Sequence, residues 1–126
     1  MIRHLSPENL YLLNLSLLST HEIDSAFWKD WDLFGLPSGI QLFLLLNFAL
    51  VILFLHGYRR VVQKQAGWEV FSWLSIAAGF IAAGLHGYFL AAGYPQFRLA
   101  ASLIVLAAFA VTSVIQAAVM LKRRSA

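Results

Sequence analysis

The stretch GIQLFLLLNFALVILFLHGY, from Gly39 to Tyr58, carries no formal charge in its twenty residues. A helix needs about 20 mostly apolar residues to cross the hydrocarbon core of a bilayer. Two later stretches meet the same requirement: residues 68–93, with Glu69 as the only formal charge, and residues 97–121, with Arg98 as the only one. All three are too long for barrel strands, and none alternates polar with apolar positions. The sequence therefore predicts transmembrane helices.

The composition of the whole chain agrees with this prediction. Hydrophobic residues make up 60% of the 126 residues and charged residues 12%, against roughly 45–50% and 25% in soluble domains. So few charges cannot cover the surface of a small soluble domain, which excludes a cytosolic enzyme, a disordered tail and a nucleic-acid-binding protein. The absence of cysteine excludes disulfides, iron–sulfur clusters and thiolate zinc sites.

A further helix is predicted before the three apolar ones. Ser6-Pro7-Glu8 is typical of a helix start, and no Gly or Pro interrupts the chain between Pro7 and Gly35. We therefore expect one long helix, amphipathic in its second half. Short connections between long helices favour an all-α, four-helix up-down transmembrane bundle in a single domain, 1–126. Its predicted helices cover residues 6–34, 39–58, 68–93 and 97–121.

Basic residues predict the orientation of this bundle. If the helices alternate in direction, the basic residues fall on one side: Arg3, Arg59, Arg60, Lys64 and Lys122 to Arg124. The positive-inside rule makes that side cytoplasmic, with both the N- and the C-terminus there. His56, Arg59 and Arg60 lie together at this side, where we expect them to contact lipid headgroups.

Polar residues within the predicted helices converge on one level of the opposite, outer leaflet. With a rise of about 1.5 Å per residue, this level contains His21, Asp24, Asn47 and His86. Imidazole, carboxylate and amide groups could hold a divalent metal such as Zn, Mn or Fe, with Glu22 or Asp32 as a general base. The alternative is a structural ion pair between histidine and carboxylate, without chemistry. Other polar groups are interpreted as interhelical hydrogen-bonding residues: Asn14, Ser16, Thr112, Ser113 and Gln116.

His86 has a second interpretation because small residues surround it. Ala82 lies one helical turn before it, and a smooth surface of this kind would let a pigment or haem lie against the helix with His86 as axial ligand. The competing interpretation is close helix packing through Gly79, Ala83 and Gly87, which are spaced four residues apart.

The segment His21-Glu22-Ile23-Asp24, followed by Trp28-Lys29-Asp30-Trp31-Asp32, supports a family resemblance. Together with Asn47 and His86, it resembles uncharacterised small bacterial four-helix membrane families with a His–Glu motif in the first helix. It is more loosely similar to the HxxEE family, which has Glu-Glu where this chain has Asp24-Ser25. The resemblance implies an integral protein of a bacterial inner membrane and suggests roles for His21, Glu22, Asp24 and His86. It implies no reaction.

Three functions remain open at this point. The minimal loops and the small residues of the last two helices favour an accessory subunit of a larger membrane complex, with lipids and other membrane subunits as partners and no nucleic acid. An intramembrane metal-dependent hydrolase is the alternative, and a pigment- or haem-binding protein is the third.

Overall fold

The computed structural model describes residues 5–125, and these fold into helices joined by short connections. The helices are α1 (Pro7–Phe27), α2 (Asp30–Leu33), α3 (Ile40–Gln63), α4 (Trp68–Ala91) and α5 (Ala100–Ser125). The class is all-α, as predicted. The count of four is wrong, because the described residues contain five helices.

The difference arises in the predicted first helix, 6–34, which ends at Phe27. Lys29 adopts a left-handed conformation with φ 53° and ψ 55°, so the chain turns there before α2 begins. The end of α1 is held by Trp28, whose backbone N–H donates to Asp24 O (3.1 Å) and whose indole Nε1 donates to Asp24 Oδ1 (3.0 Å). The other bounds differ by a few residues, most at the end of α3, which continues to Gln63 rather than Tyr58.

Three of the helices, α3, α4 and α5, are long and apolar enough to cross a membrane. The helix α1 is less apolar and packs against all three of them. Its buried residues recur every three or four positions and so form one continuous face: Pro7, Leu10, Tyr11, Asn14, Leu15, Leu18, His21 and Ser25. This face carries both apolar and polar groups into the centre of the bundle.

A layer of amides and hydroxyls ties α1, α4 and α5 together halfway along the bundle. Asn14 Nδ2 donates to Gln116 Oε1 at 2.6 Å, and Gln116 Nε2 donates to Ser75 Oγ at 2.8 Å. Ser113 Oγ lies 3.2 Å from Asn14 Nδ2. Side-chain hydrogen bonds of this kind hold helices together where water is excluded. Of the predicted interhelical groups, Ser16 instead donates to Leu12 O in its own helix.

Glycines allow the helices to approach closely at two points. A Cβ at Gly79 would overlap the side chain of Ser113 on α5, and one at Gly57 would overlap the Tyr11 hydroxyl and the Phe71 ring. By contrast, a Cβ at Gly84 or Gly87 would meet nothing within 4 Å. Gly79 is therefore the glycine of α4 at which close helix packing occurs.

Basic residues gather at one end of the bundle. Lys64 forms an ion pair with Glu8, at the start of α1, and its Nζ lies 4.3 Å from the centre of the Trp68 ring. The Arg123 guanidinium, near the end of α5, lies 5.6 Å from the same ring. Arg60 Nε donates to His56 Nε2 at 3.1 Å. The starts of α1 and α4 therefore meet the ends of α3 and α5.

We expect Gly79→Ala to lower the free energy of unfolding by about 1–3 kcal/mol, because the added methyl group forces α4 away from Ser113. Gly84→Ala is the matched control, since it adds the same methyl group into open space on the same helix. It should leave stability unchanged or raise it by about 1 kcal/mol through helix propensity. The measurement is the Tm of each purified variant in one detergent. Equal shifts of Tm in the two variants would contradict close packing at Gly79.

Candidate metal centre

The site begins with two histidines from different helices. His21 on α1 and His86 on α4 meet edge to face, with ring centroids 4.5 Å apart. Both side chains are buried, with 2% and 3% of their surfaces exposed. Two imidazoles in contact inside an apolar bundle are costly unless their nitrogen atoms find partners.

A carboxylate from the short helix α2 completes the group. Asp30 Oδ2 lies 3.0 Å from His86 Nε2, and Asp30 is 6% exposed. One ring nitrogen of each histidine and one oxygen of Asp30 all lie within 4.8 Å of one another. The turn at Lys29 makes this possible. In an uninterrupted helix, Asp30 would stand about 14 Å along the axis from His21, nine residues at 1.5 Å each.

The hydrogen bond of the other His86 nitrogen fixes where its proton lies. His86 Nδ1 is 2.8 Å from the carbonyl oxygen of Ala82. A carbonyl only accepts, so Nδ1 donates and carries a hydrogen. The lone pair of a neutral His86 then lies on Nε2 and faces the Asp30 oxygen. Two acceptors at 3.0 Å require a proton or a metal ion between them; the proton can be carried by the imidazole or by the Asp30 carboxyl group.

Two further polar atoms of the group have no hydrogen-bond partner within residues 5–125. They are His21 Nδ1 and Asp30 Oδ1. The nearest contact of the other His21 nitrogen is Ser25 Oγ at 3.5 Å, which is long for a hydrogen bond. Most buried polar groups in proteins have partners. The group therefore retains capacity to bind a ligand.

Aromatic rings shield the group from the connection between α4 and α5. The Phe97 ring lies 4.5 Å from the His86 ring and 5.8 Å from the His21 ring, between centroids. Phe97 is 1% exposed and has φ 66°, a conformation that is rare for a bulky residue. The Phe34 ring, directly after α2, lies 6.1 Å from His86. Phe97, which is buried, therefore covers both histidines on this side.

A cavity of about 470 Å³ lies on the other side of the group, between α1, α3 and α4. Its polar wall consists of five residues: His21, Glu22, Asp30, Asn47 and His86. The rest of the wall is apolar. A smaller cavity of about 300 Å³ lies between α1 and α3 and shares Glu22 and Asn47 with the first.

The residues predicted as ligands or bases fall into two sets. Glu22 and Asn47 line the cavity beside the group, where Asn47 Nδ2 donates to Phe43 O at 2.9 Å. Asp24 instead accepts from Trp28 and lies in a different depression, beside Thr20 and Ser102. Asp32 is exposed. The carboxylate next to the two histidines is therefore Asp30, which the sequence analysis did not select.

The remaining predicted residues lie away from the group. His56, Arg59 and Arg60 are at the basic end of the bundle, where they contact one another. The orientation of the His86 ring also bears on the hypothesis that a pigment or haem lies against α4 with His86 as axial ligand. His86 presents its ring to the interior, against His21, Asp30 and Phe97, rather than to the outer surface of α4.

Comparison with known proteins gives one match. No curated protein and no solved structure is similar to this chain. One family model, described as a family of unknown function, matches residues 8–123 and with them every residue of the candidate centre. The chain belongs to this family of unknown function, DUF6713.

Proposed function

We propose that the protein is an intramembrane metal-dependent enzyme, with His21, Asp30 and His86 as the ligands of a divalent metal ion. The observation that carries the proposal is the proximity of three buried ligand atoms, all within 4.8 Å of one another. Ligands at 2.0–2.2 Å from a tetrahedral ion stand about 3.4 Å apart. Small side-chain movements would therefore close this group on an ion.

The donor set suits zinc. Two imidazoles and one carboxylate are a known catalytic zinc set, and the same donors also suit non-haem iron(II) and manganese. The hydrogen bond from His86 Nδ1 to Ala82 O supports the proposal, because metal-bound histidines usually donate their second N–H to a carboxylate or a backbone carbonyl. A three-residue site leaves a coordination position for water, and a divalent ion lowers the pKa of such water.

Glu22 is our candidate general base. It lies one residue after His21 on α1 and lines the cavity into which the group opens. A carboxylate at this position could take the proton of a water molecule as that water attacks a substrate. The combination of two histidines, one carboxylate ligand and one free carboxylate supports hydrolysis as the reaction type.

The proposed location is a bacterial inner membrane, with both termini in the cytoplasm. What supports it is the set of apolar helices and the gathering of basic residues at one end of the bundle. At that end, His56, Arg59 and Arg60 would contact anionic headgroups. The metal centre would then lie in the outer leaflet, since His86 is near the opposite end of α4.

The metal assignment predicts a difference between two aspartates. We expect the wild-type protein, purified in mild detergent and supplied with zinc, to retain about one ion per chain. Asp30→Asn should lower zinc affinity by at least about tenfold, because a ligand is lost. Asp24→Asn makes the same chemical change outside the group and should leave the affinity unchanged. Metal content is measured by mass spectrometry after gel filtration, and affinity by competition with a chelator.

A second pair of variants uses the histidines in the same way. His86→Ala should release the metal, whereas His56→Ala should not. A folded wild-type protein that binds no zinc, iron or manganese would contradict the proposal and leave an ion pair between His86 and Asp30. Equal losses in Asp30→Asn and Asp24→Asn would contradict the ligand assignment.

The second candidate function is an accessory subunit of a larger membrane complex. The observation that favours it is an exposed face of small residues on α4, formed by Ala77, Gly84, Gly87 and Ala91. Small residues allow the backbone of another transmembrane helix to approach closely. A Cβ added at Gly84 or Gly87 would meet nothing within 4 Å among the described residues, so no other described helix packs closely at these two positions.

If this candidate is correct, the protein should co-purify with a larger membrane protein in mild detergent. Gly87→Leu should abolish the association, since the side chain would separate the two helices, while Tm and metal content stay as in the wild type. Leu44→Ala, on the exposed side of α3, is a control that should leave the association intact. A wild-type protein that purifies alone would overturn this candidate.

A further inference from the structure

We infer that the substrate of the proposed centre is a long-chain acyl ester that enters the 470 Å³ cavity sideways from the bilayer, between α3 and α4. This inference rests on the proposed function, because it assigns a substrate class to the same centre. It depends on three features of the cavity: its mouth, its apolar length and its roof.

The mouth of the cavity lies on the outer surface of the bundle. Leu46 on α3 and Ile81 and Leu85 on α4 line the cavity and are also exposed, at 50%, 59% and 42%. Both helices are long and apolar enough to cross a membrane, so residues exposed on their outer faces meet acyl chains rather than water. The opening therefore connects the metal centre with the hydrocarbon region.

The cavity is apolar over most of its length and polar at one end. On α4 its wall runs from Ala78 to His86, eight residues or about 12 Å along the helix. Leu50 and Leu18 line it from α3 and α1. A volume of about 470 Å³ is within the range of small-molecule pockets, which bury most of an apolar ligand and hold its polar group with a few placed residues. An acyl chain would lie along the apolar part, with its carbonyl group beside His86.

The roof of the cavity restricts access from the water on the outer side. The segment that follows α1 covers it with Trp31, Phe34 and Leu36. Trp31 is 8% exposed and packs on Phe43, with ring centroids 5.2 Å apart. Buried Trp31 blocks part of the route from the water, although Phe34 in the same segment is 41% exposed, whereas Leu46 and Ile81 form an apolar opening toward the lipid. The geometry therefore favours an amphiphile over a soluble ester.

The reaction balances with water as the only co-reactant. A water oxygen attacks the ester carbonyl carbon and forms a new C–O bond, while Glu22 takes the proton that the water loses. The bond between the carbonyl carbon and the alkoxy oxygen breaks, and the proton passes to the leaving alkoxide. The products are a long-chain carboxylic acid and an alcohol. Both can leave by the lateral opening, since the acid remains amphiphilic.

The test compares two neighbouring leucines on α3. Leu46→Trp places a large ring in the mouth, whereas Leu45→Trp places the same ring on the exposed face outside the cavity. Zinc-loaded protein in nanodiscs is given 4-nitrophenyl palmitate, and release of 4-nitrophenol is measured. In parallel, a palmitic acid carrying a diazirine is photo-crosslinked, and the labelled residues are located by mass spectrometry.

We expect wild-type protein to be labelled at cavity residues such as Leu50 and Ala78, and to cleave the palmitate ester with higher kcat/KM than 4-nitrophenyl acetate. Leu46→Trp should lower both labelling and palmitate cleavage by about tenfold, because the indole ring would obstruct the opening through which the acyl chain enters. Leu45→Trp should change neither. Unchanged labelling and cleavage in Leu46→Trp, or preference for the acetate ester, would overturn the inference.

Metal content, measured on the same samples, separates this inference from the proposed function. Neither leucine is one of the proposed metal ligands, so both tryptophan variants should bind zinc as the wild type does. Bound zinc without cavity labelling would overturn lateral lipid entry and leave the metal centre standing. Cavity labelling that Leu46→Trp blocks, in a protein that binds no metal, would support lipid entry and overturn the proposed function.

Discussion

The contact between His86 and Asp30 is the constraint around which the half of the bundle opposite the basic end is organised. The two groups lie 3.0 Å apart and are almost completely buried. They lie in a bundle whose helices α3, α4 and α5 are apolar. A lone buried carboxylate or imidazolium is strongly unfavourable, so each of the two residues requires the other or a cation shared between them. The end of α1, the turn at Lys29 and the short helix α2 all serve to place Asp30 there. The Phe97 and Phe34 rings then close the surroundings of His86.

The bundle contains two polar layers that differ in how fully their groups are paired. In the middle layer the amides of Asn14 and Gln116 donate and accept among themselves and with Ser75 and Ser113. All side-chain polar atoms of these four residues have hydrogen-bond partners, and the layer fixes the register of three helices. The second layer consists of His21, Asp30 and His86. Here His21 Nδ1 and Asp30 Oδ1 have no hydrogen-bond partner within residues 5–125, and a cavity adjoins them. Helix fastening accounts for the first layer, whereas the free atoms of the second favour ligand binding.

The sequence predicts the apolar helices well because their length and lack of charge have one physical solution in a bilayer. It also predicts that His21 and His86 lie at the same level of the bundle, since axial rise alone places them at similar depth. The sequence does not predict that Asp30 joins the two histidines, because its position depends on the turn at Lys29. Left-handed residues are usually signalled by Gly or Asn, and Trp28-Lys29-Asp30 contains neither. The sequence favours Asp24 because it shares a helix face with His21, yet in the structure Asp24 Oδ1 accepts from the Trp28 indole, and Asp30 is the carboxylate that lies next to His86.

Two of the residues with positive φ flank the centre, and both have large side chains. Lys29 directly precedes Asp30, and Phe97 packs on both histidines. A left-handed conformation costs a residue with a Cβ about 1–2 kcal/mol, so each must be held by its surroundings.

For Phe97 the burial of the ring against His21 and His86 offsets this cost. Lys29 is exposed, so its own side chain does not offset the cost. The contact between Asp30 and His86 does so, because the turn at Lys29 brings Asp30 next to His86. Backbone strain of this kind is concentrated at functional sites, where the geometry of a few side chains outweighs the local cost. Lys29 and Phe97 thus flank the residues that carry the free ligand atoms, whereas Ser38 and Lys64 adopt the same conformation in other connections.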